Sequence, residues 1–327
     1  MTRNRFTAPV RWCAILVAML AAAPAAAQSY PSKPVKLVVG FPPGGPTDII
    51  SRLVAGELGK NLGEQVLIDN RPGAGGNIAA EHVARSAPDG YTLLMTHPAT
   101  HAIAPALYAN LKFDVVRDFA PVLQLVTVPN MMVVNPSLPV SNVRELIELA
   151  RKRPGEINFA SGGSGTTAHL SGELFKTLTG VNMVHVSYRG GAPAVADLIA
   201  GQVQVMIDNM QSLLQHVRAG RLKAIAVTPK TRVAAVPELP TIAESGVPDF
   251  EVTSWFGIVA PAGTPQPVID RLHAEATKAI QNPAVAGKLQ DLGATTVSSN
   301  PAAFSAFIKA EIAKWAPVVK SSGARVE

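Results

Sequence analysis

The sequence predicts an α/β protein of two lobes, each a mainly parallel sheet with helices on both faces, joined by crossing strands that serve as a hinge. Three observations predict it. Short β-rich runs alternate with helix-period segments along the chain, the pattern of parallel sheets covered by helices. The 327 residues, 47% hydrophobic and 16% charged, suffice for two domains and lack the low-hydrophobicity, high-charge signature of disorder. The last three helical segments have no large sheet of their own to cover, so the chain must return to the first sheet.

The first unit is a strand over 35–40, a loop over 41–46 and a helix over 47–62 whose Ile49, Ile50, Leu53, Val54 and Leu58 share one face. Pro46 or Thr47 opens that helix. A strand at 66–69, the loop from Asn70 to Gly76, a helix through Ala87 and a strand at 91–96 follow. The middle repeats the rhythm with strands at 131–135, 157–160, 183–186, 203–207 and 222–227, and helices at 143–152, 167–178, 192–200 and 210–219. An apolar strand at 255–260 precedes helices at 265–281, 283–292 and 301–320, each begun by a proline near the first helical position. Crossings near 125–129 and 250–254 then assign 28–127 with 252–327 to lobe 1 and 128–251 to lobe 2. The lobes share a βα rhythm but no fixed-period repeat.

Residues 1–27 read as a secretory signal peptide: a basic start, an apolar stretch from Trp12 to Ala22, and Ala25-Ala26-Ala27 ahead of Gln28. The apolar stretch falls short of the roughly 20 residues of a spanning helix, so cleavage after Ala27 and release into a periplasm are expected. The net charge of +6 rests partly on Arg3, Arg5 and Arg11; without them 26 basic residues face 23 acidic ones. A remainder of +3 with no basic run argues against nucleic acid as a partner. Cys13, the single cysteine, lies in the segment to be removed, which excludes disulfides, thiolate metal sites and cysteine nucleophiles from the mature chain.

In open parallel sheets ligands bind beyond the carboxyl ends of strands, where loops lead into helix N-termini. Two loops fit. Phe41-Pro42-Pro43-Gly44-Gly45-Pro46-Thr47-Asp48 and Ser161-Gly162-Gly163-Ser164-Gly165-Thr166-Thr167 each follow a strand and open a helix. Their glycines let backbone N–H groups approach an anion without side-chain clash. Neither loop has the Gly-Lys-Ser/Thr of a P-loop or the dinucleotide fingerprint, so nucleotide binding is disfavoured and no cofactor is expected. His97 and His101 have a metal-like spacing, but Pro98 between them and the lack of a third ligand argue against zinc.

Val38-Val39-Gly40-Phe41-Pro42-Pro43-Gly44-Gly45 with Asp48 and Arg52, Asn70-Arg71-Pro72-Gly73-Ala74-Gly75-Gly76-Asn77 and Asp89-Gly90-Tyr91-Thr92-Leu93-Leu94 resemble the first lobe of the tripartite tricarboxylate transporter substrate-binding proteins, the TctC-like or Bug family. Ser161 through Leu170, Tyr188-Arg189-Gly190-Gly191-Ala192-Pro193, Asp208-Asn209 and Trp255-Phe256-Gly257 match its remaining motifs. The resemblance implies a monomeric periplasmic receptor that captures a small carboxylate and presents it to a transporter of large and small integral-membrane subunits. Carried over residue by residue, it implies ligand contacts at Phe41, Pro42, Gly44, Gly45 and Asp48 in lobe 1, and at Ser161, Gly162, Ser164, Thr166, His169 and Asp208 in lobe 2.

Several of these residues have a second reading. Asp48 sits in a first helical turn, where a carboxylate complements the dipole without any ligand; as a ligand contact it would repel a carboxylate and attract an amino group. Arg71 and Arg189 each adjoin a glycine turn and read as structural caps of loop carbonyls before they read as a carboxylate clamp. His169 could donate to an anion or bond within its own lobe. Trp255 is either a hinge or cleft-wall aromatic or plain core. Two other functions compete with transport: a sensor feeding a two-component kinase, and a serine hydrolase using Ser164, His169 and Asp208. Against the hydrolase, Thr166 stands where the Gly-x-Ser-x-Gly elbow needs its second glycine, and the order Ser-His-Asp is not the hydrolase order.

Overall fold

In the computed structural model, which describes residues 30–324, the chain opens on β1 (Val35–Val39), flanked in parallel by β2 (Val66–Asn70) and β3 (Thr92–Thr96). The signal-peptide assignment for 1–27 lies outside the described residues. Residues from Lys33 onward form one compact unit. In β1, Val35, Leu37, Val38 and Val39 are fully buried, as a parallel strand covered on both faces requires. Between β1 and β2 runs α1 (Pro46–Leu62), with Pro46 in its first turn and Gly63 in the left-handed region at its end, the usual pair of helix start and stop signals. Helix α2 (Asn77–Ala84) leads into β3, and a π-helical turn over Ala99–Ile103 continues into the short α3 (Ala104–Leu107); neither of the last two was predicted.

The largest departure from expectation is β4, a single strand over Phe119–Val134. Sequence reasoning places a strand at 131–135 and a crossing near 125–129, but neither joins them nor carries the strand back to Phe119. In the structure Pro121 adjoins a register shift, and Pro129 stands where the strand changes partners; sheets tolerate proline at such places. Residues 119–129 pair with β9 (Thr253–Pro261), and residues 130–134 pair with β7 (Val205–Asn209) and β8 (Lys223–Val227). One strand therefore belongs to both sheets.

The second sheet also holds β5 (Asn158–Ser161) and β6 (Val184–Ser187), and its helices are α4 (Val143–Lys152), α5 (Thr167–Thr179), α6 (Gly191–Ile199) and α7 (Met210–Arg218). Across both sheets the strand order is β2-β1-β3-β9-β4-β7-β5-β6, with β8 and the two-residue β10 (Thr295–Thr296) also on β4. This is the expected two-lobed fold with crossing strands. Beside β4, the backbone N–H of Asn130 donates to Thr228 Oγ1 (3.1 Å), that hydroxyl donates to the Val252 carbonyl (2.6 Å), and Ser254 Oγ donates to Asn130 Oδ1 (3.0 Å). All of these groups are buried, so the crossing is tied by satisfied polar groups as well as by the strand.

The carboxyl-terminal helices α8 (Gln266–Gln281), α9 (Pro283–Asp291) and α10 (Pro301–Ser322) return to the first lobe, where α8 packs on α1 and β4. Helix α10 packs on β4 and also reaches α5. Under it lies Trp255, 1% exposed, whose indole N–H donates to Glu311 Oε2 at 2.9 Å and whose ring meets Phe304 and Phe307 edge-on. Of its two expected roles, Trp255 takes that of core. Strand alternation turns its neighbour Phe256 to the other face.

Candidate functional site

Helix N-termini dominate one cavity between the lobes. Pro46 and Thr47 of α1, Thr166 to Ala168 at the start of α5, Gly191 of α6, and Asp208 and Asn209 ahead of α7 all line it, together with His97, Ser254 and Phe256. Its volume is only about 50 Å³, room for one small polar group, and an adjoining space of about 560 Å³ falls within the roughly 300–1,000 Å³ typical of ligand sites. Among the described residues no lysine or arginine lines the smaller cavity. Each helix N-terminus carries the equivalent of about half a positive charge, so the helix starts favour an anion through backbone dipoles, opposed by Asp208, the one carboxylate on the lining.

Local sequence fixes these termini. Thr166 caps α5: its Oγ1 accepts from the His169 N–H (3.3 Å) and donates to the Gly163 carbonyl (2.8 Å). Gly190, at φ +124°, caps α6, a conformation that side chains resist. Its N–H donates to the Gly162 carbonyl at 3.1 Å, tying the α6 start to the loop before α5. Phe41 packs edge-on against His97, whose Nδ1 accepts from the Ala99 N–H. Burial pushes the His97 pKa down to about 3, so the ring is neutral at neutral pH.

Of the eleven residues expected to meet ligand, Phe41, Gly162, Thr166 and Asp208 line this cavity. Phe41 and Gly162 also border an adjoining space, where they meet Pro42 and Ser164 along with Tyr108 and Arg189. Gly44 and Gly45 lie elsewhere, in a groove against α6 and α7. Ser161, Asp48 and His169 border none of the three spaces. Ser161 is buried, and its hydroxyl shares a hydrogen bond with His185 Nε2 at 2.7 Å. His169 accepts from the Gly165 N–H at Nδ1 (3.1 Å) and stacks on His185 at 4.0 Å. Burial, with Lys176 adding to it, lowers the His169 pKa to about 4, so it bonds within its own lobe as a neutral ring.

Asp48 clamps its own loop. Buried, it accepts from the Gly44 N–H (2.9 Å), Arg52 Nε (2.8 Å) and Asn70 Nδ2 (2.9 Å). Burial would raise its pKa, but the bonds from Arg52, Gly44 and Asn70 together outweigh it and hold the carboxyl below its usual value. Asp48→Ala removes three hydrogen bonds, but Gly44 is exposed and Asn70 Nδ2 keeps its bond to the Phe41 carbonyl at 3.0 Å, so we expect a loss of about 1–2 kcal/mol, the exposed Arg52 adding little. Urea unfolding checks this; an unchanged midpoint would refute the clamp.

Arg71 pairs with Asp69 at 2.9 Å instead of capping loop carbonyls. No hydrogen bond joins Ser164, His169 and Asp208 among the described residues: Ser164 meets Ser187, His169 Nδ1 is held by Gly165, and Asp208 accepts from Asn209. Sequence reasoning missed Thr47, His97, Ser254 and Phe256. The start signal at Pro46 could have flagged Thr47. Nothing in the sequence says which face of a strand end carries Ser254 and Phe256 into a cleft.

A two-lobed α/β molecule with an anion-favouring cavity between its lobes has the form of a periplasmic solute-binding protein. Residues 50–324 match the model of the tripartite tricarboxylate transporter family receptor, and the chain belongs to that family, TctC. Protein BugT of Bordetella pertussis is 40% identical over 307 residues, covering 94% of each chain. Among solved structures, R. palustris Rpa4515 with adipate is 40% identical with a TM-score of 0.88, over 91% of this chain and 100% of that one. MatC from Rhodopseudomonas palustris, with bound malate, is 35% identical with a TM-score of 0.85, over 89% and 100%. The resemblance read from the motifs is thereby borne out.

Proposed function

We propose that the chain is exported to the periplasm through a cleaved leader and captures a small carboxylate between its lobes, a di- or tricarboxylate, an acidic amino acid or an aromatic acid. It then delivers that ligand to a membrane transporter of one large and one small integral subunit. In this reading 28–127 with 252–327 form one jaw and 128–251 the other. The observation that carries it is the cavity lined by the starts of α1, α5, α6 and α7 and by no cationic side chain. Backbone N–H groups hold the carboxylate, helped by the hydroxyl of Thr167, while the adjoining space takes the rest of the acid. The two relatives solved with adipate and malate support this ligand class.

Closure follows from the contacts that ring the cavity. A Cβ on Gly165 would run into Leu107, and one on Gly190 would lie 3.5 Å from Pro42, so the jaws must part to admit ligand. A thermal-shift screen of carboxylates tests the reading, because a ligand at 100 times its Kd adds about 2.7 kcal/mol of stability. A hit should also lower the radius of gyration in small-angle scattering. A panel in which no carboxylate raises the melting temperature would overturn the proposal.

A further inference from the structure

We infer that Asp208 is the specificity-determining residue of this cavity and that it selects carboxylic acids bearing a second group that donates a hydrogen bond, an ammonium or a hydroxyl. The inference rests on the carboxylate reading above. Asp208 ends β7 and is 6% exposed, with its side chain on the cavity. Its Oδ1 accepts from the Asn209 N–H at 2.7 Å. Among the described residues the carboxylate has no salt bridge and no other hydrogen-bond donor. Gly191 is the nearest wall: a Cβ there would lie 3.7 Å from Oδ2, and glycine leaves that oxygen open.

The other groups facing it cannot satisfy it. No arginine or lysine lines the cavity, and His97, the one other titratable group there, is neutral, with no partner for its buried Nε2. Burial moves the Asp208 pKa up to about 6, with the Asn209 N–H pulling the other way, so above that pH the group is an ionised acceptor in a desolvated place. A buried acceptor left unpaired is costly. A plain carboxylate offers it only like charge, whereas an ammonium or hydroxyl on the ligand offers a donor. Sites built to bond a ligand's OH or NH reject analogues that lack it, because the site's own polar group is then stranded.

Calorimetry at pH 7.5 on three matched series tests this: succinate, malate and aspartate; glutarate, 2-hydroxyglutarate and glutamate; phenylacetate, mandelate and phenylglycine. In each series that binds, a donor-bearing member should bind at least about tenfold more tightly than the plain acid. Asp208→Asn, which keeps an oxygen for the Asn209 N–H, should shrink that ratio to less than about threefold, with circular dichroism confirming the fold. Plain acids binding as tightly to the wild-type protein, or a ratio that survives in Asp208→Asn, would overturn the selection while leaving the carboxylate reading intact. Should no carboxylate of the panel bind, the carboxylate reading fails and this inference with it.

Discussion

Gly162→Ala should cost about tenfold or more in ligand affinity, although it adds one methyl group. The added Cβ would lie 2.9 Å from the Gly191 nitrogen and 3.0 Å from the Gly190 carbonyl carbon, closer than backbone atoms permit. Something must move, and both candidates are backbone at the cavity wall: the loop entering α5 and the first turn of α6. Overpacking of this kind typically costs 1–3 kcal/mol, and in the proposed site it would separate two of the helix starts whose dipoles favour an anion. Gly45→Ala is the control. Gly45 has an ordinary φ of −82°, a Cβ on it would be 3.6 Å from the Pro42 carbonyl, and it faces the outer groove. Its affinity should stay within about twofold of wild type. Calorimetry with a carboxylate hit from the screen reads both variants. The opposite ranking would put the ligand on the loop before α1 and remove the second lobe's helix starts from the site.

That ranking reverses what the sequence alone suggests, for a physical reason. Gly44-Gly45 and Gly162-Gly163 look alike as strand-to-helix loops, and both do open helices. Which glycine faces a cleft depends on how far the opposite lobe reaches, and that distance is tertiary. The βα rhythm, the proline-initiated helices and the return of the chain to the first sheet were legible because each is a local pattern or a counting argument. β4 was legible only in pieces, a strand at 131–135 and a crossing near 125–129, since its continuity is supplied by partners more than 70 residues away. The same limit governs the site. Asp48 and Asp208 are both carboxylates beside helix starts, yet one is consumed by Gly44, Arg52 and Asn70 while the other faces the cavity between the lobes. Only the positions of their neighbours separate a clamp from a recognition group.

Acid should destabilise the protein well above the range where carboxylates titrate, and His97 and His101 should be the reason. Both are buried, and burial pushes each pKa down to about 3, with His97 lowering His101 further. His101 Nδ1 shares a hydrogen bond with Thr96 Oγ1 at 2.7 Å, while the Nε2 atoms of both rings are buried without a partner. An unfolded histidine titrates near 6.5, so between about 6.5 and 3 the unfolded chain binds protons that the folded chain refuses. Stability is therefore full above about pH 6.5 and declines as pH falls. At pH 5 each histidine accounts for a loss of about 2 kcal/mol. His169 and His185, lowered to about 4 and about 3, act in the same direction. Asp208 opposes them, because its folded pKa of about 6 lies above the usual 3.8, and it returns about 1 kcal/mol at pH 5. The histidines outweigh it. Asp48, held below 3.8, contributes its loss only at lower pH and leaves this window clean. Urea midpoints at pH 7.5 and 5.0 should thus differ by several kcal/mol of stability, and His101→Gln, which cannot titrate, should narrow the gap by about 2 kcal/mol. Equal midpoints at the two pH values would mean that the buried rings accept protons without unfolding, and the account of their burial would be wrong.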